Sequence, residues 1–178
     1  MRLIIIACLF GLTQQTFAQK YLTREAYLKF FGTTPIENIE AVTNQASSVI
    51  DVTTNEVVFQ VLLNSFTFEK ALMQEHFNEN YVESEKYPKC VFKGKIKEAV
   101  SLSKAGTYKV TIAGSMTLHG VTRPIEVSAD ITVEKSTIKL MSTFVIVPED
   151  YEIIIPSAVR DKIAKSMEVT VKAAYKPV

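Results

Sequence analysis

The sequence predicts an all-β domain, a single antiparallel barrel or sandwich of about eight strands. Apolar and polar residues alternate in successive runs from Glu56 to the C-terminus, the period-two pattern of strands with one buried face. Only two stretches have helical spacing instead. No repeat or linker interrupts the roughly 160 residues after position 18, which is an ordinary size for one domain.

The first eighteen residues have the layout of a cleavable secretory signal peptide. Arg2 precedes the apolar run Leu3–Leu12, and Thr16 and Ala18 lie at the −3 and −1 positions before Gln19. This run is about half of the roughly 20 residues that a membrane-spanning helix needs. We therefore expect cleavage of residues 1–18, a domain over 19–178, a periplasmic or secreted protein and no stable membrane insertion.

Lipidation of Cys8 is the alternative interpretation of this segment. Ile5-Ile6-Ala7-Cys8 resembles the residues before a lipidated cysteine, which would tether the protein to a membrane. Only seven residues precede Cys8, too few for a charged region and a full apolar core. Cleavage without lipidation is therefore the favoured prediction.

Two weaker strands are predicted first, over Ala26–Thr33 and Gln45–Val52, with a polar stretch at Pro35–Asn44 between them. The next strand, Glu56–Asn64, has apolar residues on both sides, so we expect it to be covered on both faces. The remaining strands alternate clearly, and His119-Gly120 predicts a tight turn. These strands lie at Cys90–Ile96, Tyr108–Leu118, Ile125–Val133, Ile138–Ile146 and Met167–Tyr175.

The two helical stretches lie between these strands. Five apolar residues predict a helix over about 68–80 that covers one end of the barrel. A second short helix is predicted over about 157–164, with Ser157 as its N-cap and Val159 and Ile163 on its apolar face. The apolar face of the first helix consists of Phe68, Leu72, Met73, Phe77 and Tyr81.

The interior of the predicted barrel has several small residues at inward positions. An eight-stranded barrel is just wide enough to be filled by side chains or to hold one small ligand. Gly94, Gly114, Ala129 and Ser142 are small, so we expect them to leave room for a ligand between apolar walls.

The sequence contains none of the common catalytic patterns. His76 and His119 are 43 residues apart and lie in no metal-ligand spacing, so no metal site is predicted. Glu79, Glu83 and Glu85 fit a solvated loop, and Cys90 fits a buried core position. No phosphate loop, nucleophile elbow or dinucleotide fingerprint is present. We therefore predict no enzymatic activity, no catalytic residue and no required cofactor.

The charge balance argues against a nucleic-acid partner. Without Arg2, the chain has nineteen basic and nineteen acidic residues, and no cluster of like charge is long enough to bind a phosphate backbone. The predicted mature chain keeps one cysteine, Cys90, so its stability must come from the core.

Three segments resemble the YceI-like family of bacterial exported proteins. Residues 72–96, LMQEHFNENYVESEKYPKCVFKGKI, resemble its helix-loop-strand signature, with a histidine, a phenylalanine and Tyr-Pro before a phenylalanine. Residues 114–127, GSMTLHGVTRPIEV, resemble its G-x-L-T-x-x-G-V-T-x-P hairpin, with Met116 in place of the commoner leucine. Residues 147–171, VPEDYEIIIPSAVRDKIAKSMEVTV, resemble its last strands. The segment Lys20–Thr54 matches loosely and is expected to lack the longer opening strands of the best-known members.

This resemblance implies a lipocalin-like antiparallel barrel that holds a polyisoprenoid chain, including the tail of an isoprenoid quinone, or another lipid. It implies that the head group lies at one end, near Tyr81, Glu83, Arg123 or Tyr151. It also implies an apolar tunnel, lined by Phe59, Phe66, Leu72, Met73, Phe77, Phe92, Ile112, Phe144, Ile146, Val169 and Val171.

The leading hypothesis is therefore an exported carrier, store or sink for a hydrophobic small molecule. Two alternatives stay open: an exported structural or stress-response barrel with a filled core and no ligand, and, ranked last, an enzyme that uses the pocket. The sequence does not decide the oligomeric state, and a homodimer is among the states left open.

Overall fold

The computed structural model describes residues 20–157 and 163–178, which form one closed antiparallel β-barrel. Its strands are β1 (Lys20–Gly32), β2 (Ile39–Asp51), β3 (Glu56–Leu62), β5 (Lys89–Ile96), β6 (Gly106–Leu118), β7 (Val121–Glu134), β8 (Thr137–Ile146) and β9 (Met167–Pro177), and the two-residue β4 (Thr67–Phe68) pairs with β2 outside the ring. Neighbouring strands in the ring follow the order β1-β9-β8-β7-β6-β5-β3-β2, and β2 pairs with β1 to close it. This confirms the predicted eight-stranded barrel.

The two opening strands are longer than the sequence predicted. Strands β1 and β2 have 13 residues each and pair from Lys20 with Asp51 to Gly32 with Ile39. The predicted strands, Ala26–Thr33 and Gln45–Val52, are therefore too short. Register shifts on both sides of Ala26 interrupt the alternation in β1, because each bulge changes the face on which the next residues lie.

The predicted helix over 68–80 is present but differs in extent and type. Phe68 pairs with Ala41 of β2, so the α-helix α1 begins only at Ala71 and ends at His76. A π-helical turn, Phe77–Tyr81, continues it. The second predicted helix falls largely on residues 158–162 and the signal peptide on 1–18, both outside the described residues.

Two further predictions concern strand β3 and the β6–β7 turn. The outward side chains Val58 and Leu62 are 40% and 39% exposed, so β3 is not covered on both faces as predicted. The turn prediction is confirmed, since Leu118 pairs with Val121 across His119 and Gly120. Both turn residues have positive φ, 52° and 77°, the requirement of a type I′ hairpin.

The barrel has two unlike ends. At the helix end lie α1, the π-helical turn and the 3₁₀ turn Pro148–Tyr151 that follows β8. At the opposite end, called the packed end, the strand pairs Lys20–Asp51, Ile96–Ile112 and Ile138–Tyr175 enclose tightly buried side chains. The largest fully buried side chains are Tyr175, Ile50, Leu102, Ile131, Ile138, Val57 and Ser48, most of them near this end. No helix in the described ranges is long and apolar enough to cross a membrane.

Candidate functional site

An apolar inner cavity of about 150 Å³ lies inside the barrel and extends from the helix end as far as Ile112 on β6 and Val57 on β3. It is lined by the inward residues of β1, β3, β5, β6, β7, β8 and β9, together with residues of the 3₁₀ turn after β3 and of the π-helical turn. The lining residues are Leu28, Lys29, Phe30, Val57, Phe59, Val61, Leu63, Phe66, Phe77, Cys90, Phe92, Ile112, Met116, Leu118, Ile125, Val127, Leu140, Ser142, Phe144, Ile146, Val169 and Val171.

Each polar group in this lining is either uncharged or already paired with another protein group. The Ser142 hydroxyl donates a 2.7 Å hydrogen bond to the Ser128 carbonyl oxygen. Burial raises the pKa of the Cys90 thiol to about 12, so the thiol is uncharged at physiological pH. The Lys29 ammonium lies 3.1 Å from the Glu40 carboxylate and is partly exposed. The wall therefore offers apolar contact, and its one charged residue, Lys29, is paired with Glu40.

An outer cavity of about 450 Å³ lies at the helix end. Phe30, Phe77, Leu118 and Ile146 line both cavities, so the cavities adjoin across these residues. The remaining apolar walls of the outer cavity come from α1, β4, the segment after β8, and the residues Ile39 of β2 and Met167 of β9. Its wall consists of Phe30, Glu37, Ile39, Phe68, Lys70, Leu72, Met73, His76, Phe77, Tyr81, Leu118, Ile146, Pro148, Ile153, Ile155, Ile163 and Met167.

An aromatic cluster forms the boundary between the two cavities. The Phe30 ring centroid lies 5.1 Å from that of Phe66, 5.6 Å from Phe68 and 5.3 Å from Phe77. These separations are typical of favourable ring pairs. The cluster joins β1 to β4 and the π-helical turn, and so holds the turn over the end of the barrel.

Nine of the eleven predicted tunnel residues line the inner cavity. The other two, Leu72 and Met73, line the outer cavity instead, and Leu72 is 61% exposed. Contact of any of these residues with a ligand stays a prediction. The nine are Phe59, Phe66, Phe77, Phe92, Ile112, Phe144, Ile146, Val169 and Val171.

Of the predicted head-group residues, only Tyr81 lines a cavity. Burial raises the pKa of its phenol, which is therefore neutral. Arg123 lies outside both cavities, where its Nε donates a 2.9 Å hydrogen bond to the Asp150 carbonyl oxygen. Tyr151 is buried and lines neither cavity. Both residues lie at the helix end, and contact of either with a head group stays a prediction.

Glu83, the fourth head-group candidate, belongs to a polar cluster beside the β6–β7 turn. Its Oε2 lies 2.9 Å from His119 Nε2, and His119 Nδ1 lies 3.2 Å from the Tyr151 carbonyl oxygen. The Tyr87 ring packs edge-on against the imidazole. His119 thus joins the segment after the π-helical turn and the 3₁₀ turn after β8 to the barrel.

The polar wall of the outer cavity consists of Glu37, Lys70, His76 and Tyr81. The Lys70 ammonium donates a hydrogen bond to the Glu37 carboxylate, which raises the pKa of Lys70. Sequence reasoning missed this pair because 33 residues separate its members and neither lies in a recognisable motif.

The small inward residues do not all leave room, contrary to the prediction. A Cβ atom on Gly114 would lie 2.2 Å from the Lys93 carbonyl oxygen, so Gly114 permits close strand approach. A Cβ on Gly94 would lie 2.5 Å from the Phe92 ring, which occupies that space. Ser142 lines the inner cavity, whereas Ala129 is buried and does not.

Metal-binding side chains do not gather in the part of the chain that the structure describes. His76 lines the outer cavity, while His119 contacts Glu83. Within residues 20–157 and 163–178, there is no group of three or more histidine, cysteine, aspartate or glutamate side chains that could hold a metal ion.

Three solved structures share this fold. A polyisoprenoid-binding domain from Saccharophagus degradans, implicated in plant cell wall breakdown, aligns with a TM-score of 0.78 and 15% identity over 91% of this chain and all of its own. Burkholderia cenocepacia BcnA aligns with a TM-score of 0.70 and 12% identity, over 84% and 95% of the two chains. The Campylobacter jejuni YCEI protein gives 0.66 and 16%, over 82% and 89%.

A family model supports the structural comparison, although no curated protein matches the chain in sequence. A family model described as the YceI-like domain matches residues 23–175, which include all eight strands of the ring at least in part. The match begins within β1 and ends within β9. The chain therefore belongs to the YceI-like domain family.

Proposed function

We propose that this protein binds one apolar chain, a polyisoprenoid or related lipid, with the chain in the inner cavity and its polar end in the outer cavity. The observation that carries the proposal is an interior cavity whose walls are apolar and whose few polar groups are already paired or neutral. The naming of the Saccharophagus degradans structure as a polyisoprenoid-binding domain supports the same ligand class.

Burial of apolar surface supplies the driving force. Removing about 500 Å² of chain surface from water contributes about 12 kcal/mol at 25 cal/mol per Å². Association and ordering cost several kcal/mol of this, which leaves affinity in the micromolar range. Binding of this kind requires a fitted apolar wall and few polar contacts.

The outer cavity supplies contacts for a polar head group. Lys70 and His76 carry hydrogen-bond donors, and the neutral Tyr81 phenol can donate as well. A phosphate, a hydroxyl or a quinone carbonyl oxygen would accept from these groups. An isoprenoid quinone therefore fits this arrangement as well as a prenyl phosphate does.

We further propose that the protein acts outside the cytoplasm as a carrier, store or sink and not as a catalyst. The signal-like residues 1–18 support export. Binding without catalysis follows from the inner wall, which presents no pair of titratable groups that could exchange a proton with a bound molecule.

A pair of enlarging substitutions separates this proposal from a barrel with a filled core. Val171 lines the inner cavity, whereas Val133 is equally buried on β7 and does not. Val171→Phe should fill the cavity, keep the midpoint of urea unfolding and weaken binding of a fifteen-carbon prenyl alcohol at least tenfold. Val133→Phe should lower the unfolding midpoint, because no space is available there.

The result that would overturn the proposal is equally definite. If Val171→Phe destabilises the fold as much as Val133→Phe, and wild-type protein binds no prenyl alcohol, the interior is a filled core.

A further inference from the structure

Resting on the proposed function, we infer that Tyr175 and Ser48 form the floor of the inner cavity and limit the ligand to a short isoprenoid chain of about fifteen to twenty carbons. The evidence is the depth at which the cavity stops, the contacts of these two side chains and their position in the ring.

The cavity stops short of the packed end on β6, β8 and β9, whereas on β3 it reaches Val57. On β9, Val169 and Val171 line the cavity, but the next inward residues, Ala173 and Tyr175, do not. On β8, Leu140 is the last lining residue before the packed end, and on β6 it is Ile112. Beyond these residues, toward the packed end, the inward side chains of the three strands belong to the buried core.

Tyr175 closes the space beyond the lining residues of β9. Its side chain is fully buried, and its hydroxyl lies 2.9 Å from Ser48 Oγ. Ser48 Oγ donates its own proton to the Val58 carbonyl oxygen at 2.8 Å, so the Tyr175 hydroxyl is the donor to Ser48. Because β1 lies between β9 and β2 in the ring, the Tyr175 side chain spans the width of β1 beneath the cavity.

This floor resists opening. A ligand that displaced the Tyr175 ring would separate two buried hydroxyl groups and leave the Tyr175 hydroxyl without its acceptor. The floor also touches the cavity wall directly, since Val57, the neighbour of the acceptor Val58, lines the cavity.

The height of the cavity sets the length of the chain. Leu118 and Ile112 line it at its two ends, and six residues of strand at about 3.3 Å each, tilted by about 40°, span about 15 Å along the barrel axis. An extended isoprene unit contains four carbon–carbon bonds of about 1.5 Å and spans about 5 Å. The volume of about 150 Å³ is smaller than three such units, so the inner cavity holds about one or two of them, and the rest of a fifteen- to twenty-carbon chain lies in the adjoining outer cavity of about 450 Å³.

A competition experiment tests this inference. Delipidated protein is incubated with an equimolar mixture of all-trans prenyl alcohols of ten, fifteen, twenty and forty carbons in a non-ionic detergent, and native mass spectrometry measures which alcohol is bound. Wild-type protein should prefer fifteen and twenty carbons over forty by at least tenfold. Tyr175→Ala should remove this preference and raise the bound share of the forty-carbon alcohol at least tenfold.

Two matched variants test whether the Tyr175 ring is the cause of the chain-length preference. Tyr175→Phe keeps the ring and should keep the wild-type preference. Leu102→Ala also removes a fully buried side chain, from the loop between β5 and β6 at the packed end, and should keep it too. If wild-type protein binds the forty-carbon alcohol as well as the shorter ones, or Tyr175→Ala leaves the preference unchanged, the floor does not select length, although the proposed function stands. If no alcohol binds, the proposed function itself is contradicted.

Discussion

At the scale of single residues, the side chains that line the inner cavity are chemically unreactive. Cys90 lines the inner cavity, and burial raises the pKa of its thiol to about 12. At pH 8, only about one thiol in ten thousand is then ionised. Because the thiolate is the nucleophile, Cys90 cannot react readily with a bound lipid or an oxidant.

Alkylation kinetics test this environment. Iodoacetamide at pH 8 should modify Cys90 at least a hundredfold more slowly in folded protein than in 8 M urea, with mass spectrometry as the readout, in a chain that begins at residue 19. Since the unfolded thiol ionises near pH 8.5, this residue should also make folding less stable as pH rises from there toward 12. Equal alkylation rates in the two states would show that Cys90 is not enclosed.

Two neighbouring glycines should respond differently to the same substitution. Gly114→Ala directs a methyl group against the backbone of β5, 2.2 Å from the Lys93 carbonyl oxygen, and should cost about 2–3 kcal/mol. Gly94→Ala meets the end of the Phe92 ring, which can rotate into the cavity, and should cost less. Urea denaturation measures both. A greater loss for Gly94→Ala would contradict the assigned packing.

Sequence alone predicted the lining of the inner cavity better than it predicted the head-group site. Inward residues such as Phe92 and Val169 follow from strand alternation together with the family resemblance, and they lie where expected. Lys70 and Glu37 meet only because the β1–β2 loop folds toward α1, and no local pattern encodes that contact. Arg123 donates a hydrogen bond to the Asp150 carbonyl oxygen outside both cavities, and its contact with a head group stays a prediction.

At the scale of elements, the helix end depends on contacts between segments distant in sequence. His119 contacts Glu83 on one side and the Tyr151 carbonyl oxygen on the other. His119→Ala should lower the free energy of unfolding by about 1–3 kcal/mol and speed hydrogen exchange at the Val82, Ser84 and Tyr87 amides.

A second histidine provides the control for this prediction. His76→Ala changes an exposed residue of α1 and should alter stability by less than about 0.5 kcal/mol. If His119→Ala leaves hydrogen exchange after the π-helical turn unchanged, the cluster does not hold this segment in place.

The elements themselves were predictable to different degrees. The later strands, from β6 to β9, alternate clearly, so they were predicted in the right places, although β7 begins at Val121 and not at Ile125. β1 was not, because the bulges around Ala26 break its alternation. The helix was predicted too early at Phe68, since pairing of Phe68 with Ala41 competes with helix formation and no local signal reports that pairing.

At the scale of the whole molecule, the barrel is packed at one end and hollow at the other. The close packing at the packed end stabilises the fold. The hollow half contributes less stability, because side chains around an unfilled space lack the contacts that a filled core would give them. The sequence predicted the closed barrel but not this division, because strand alternation identifies inward residues and does not reveal which of them meet across the interior. The hollow half is the part of the molecule with room for a ligand.

Native mass spectrometry of the protein purified from its host without delipidation tests the central claim most directly. We expect one bound molecule per chain, released into organic solvent and identified by fragmentation as a prenyl chain or related lipid. Val171→Phe purified in the same way should carry at most a tenth as much. A wild-type spectrum with only the mass of the polypeptide, together with no uptake of added prenyl alcohol, would contradict the claim that this barrel is a lipid-binding protein.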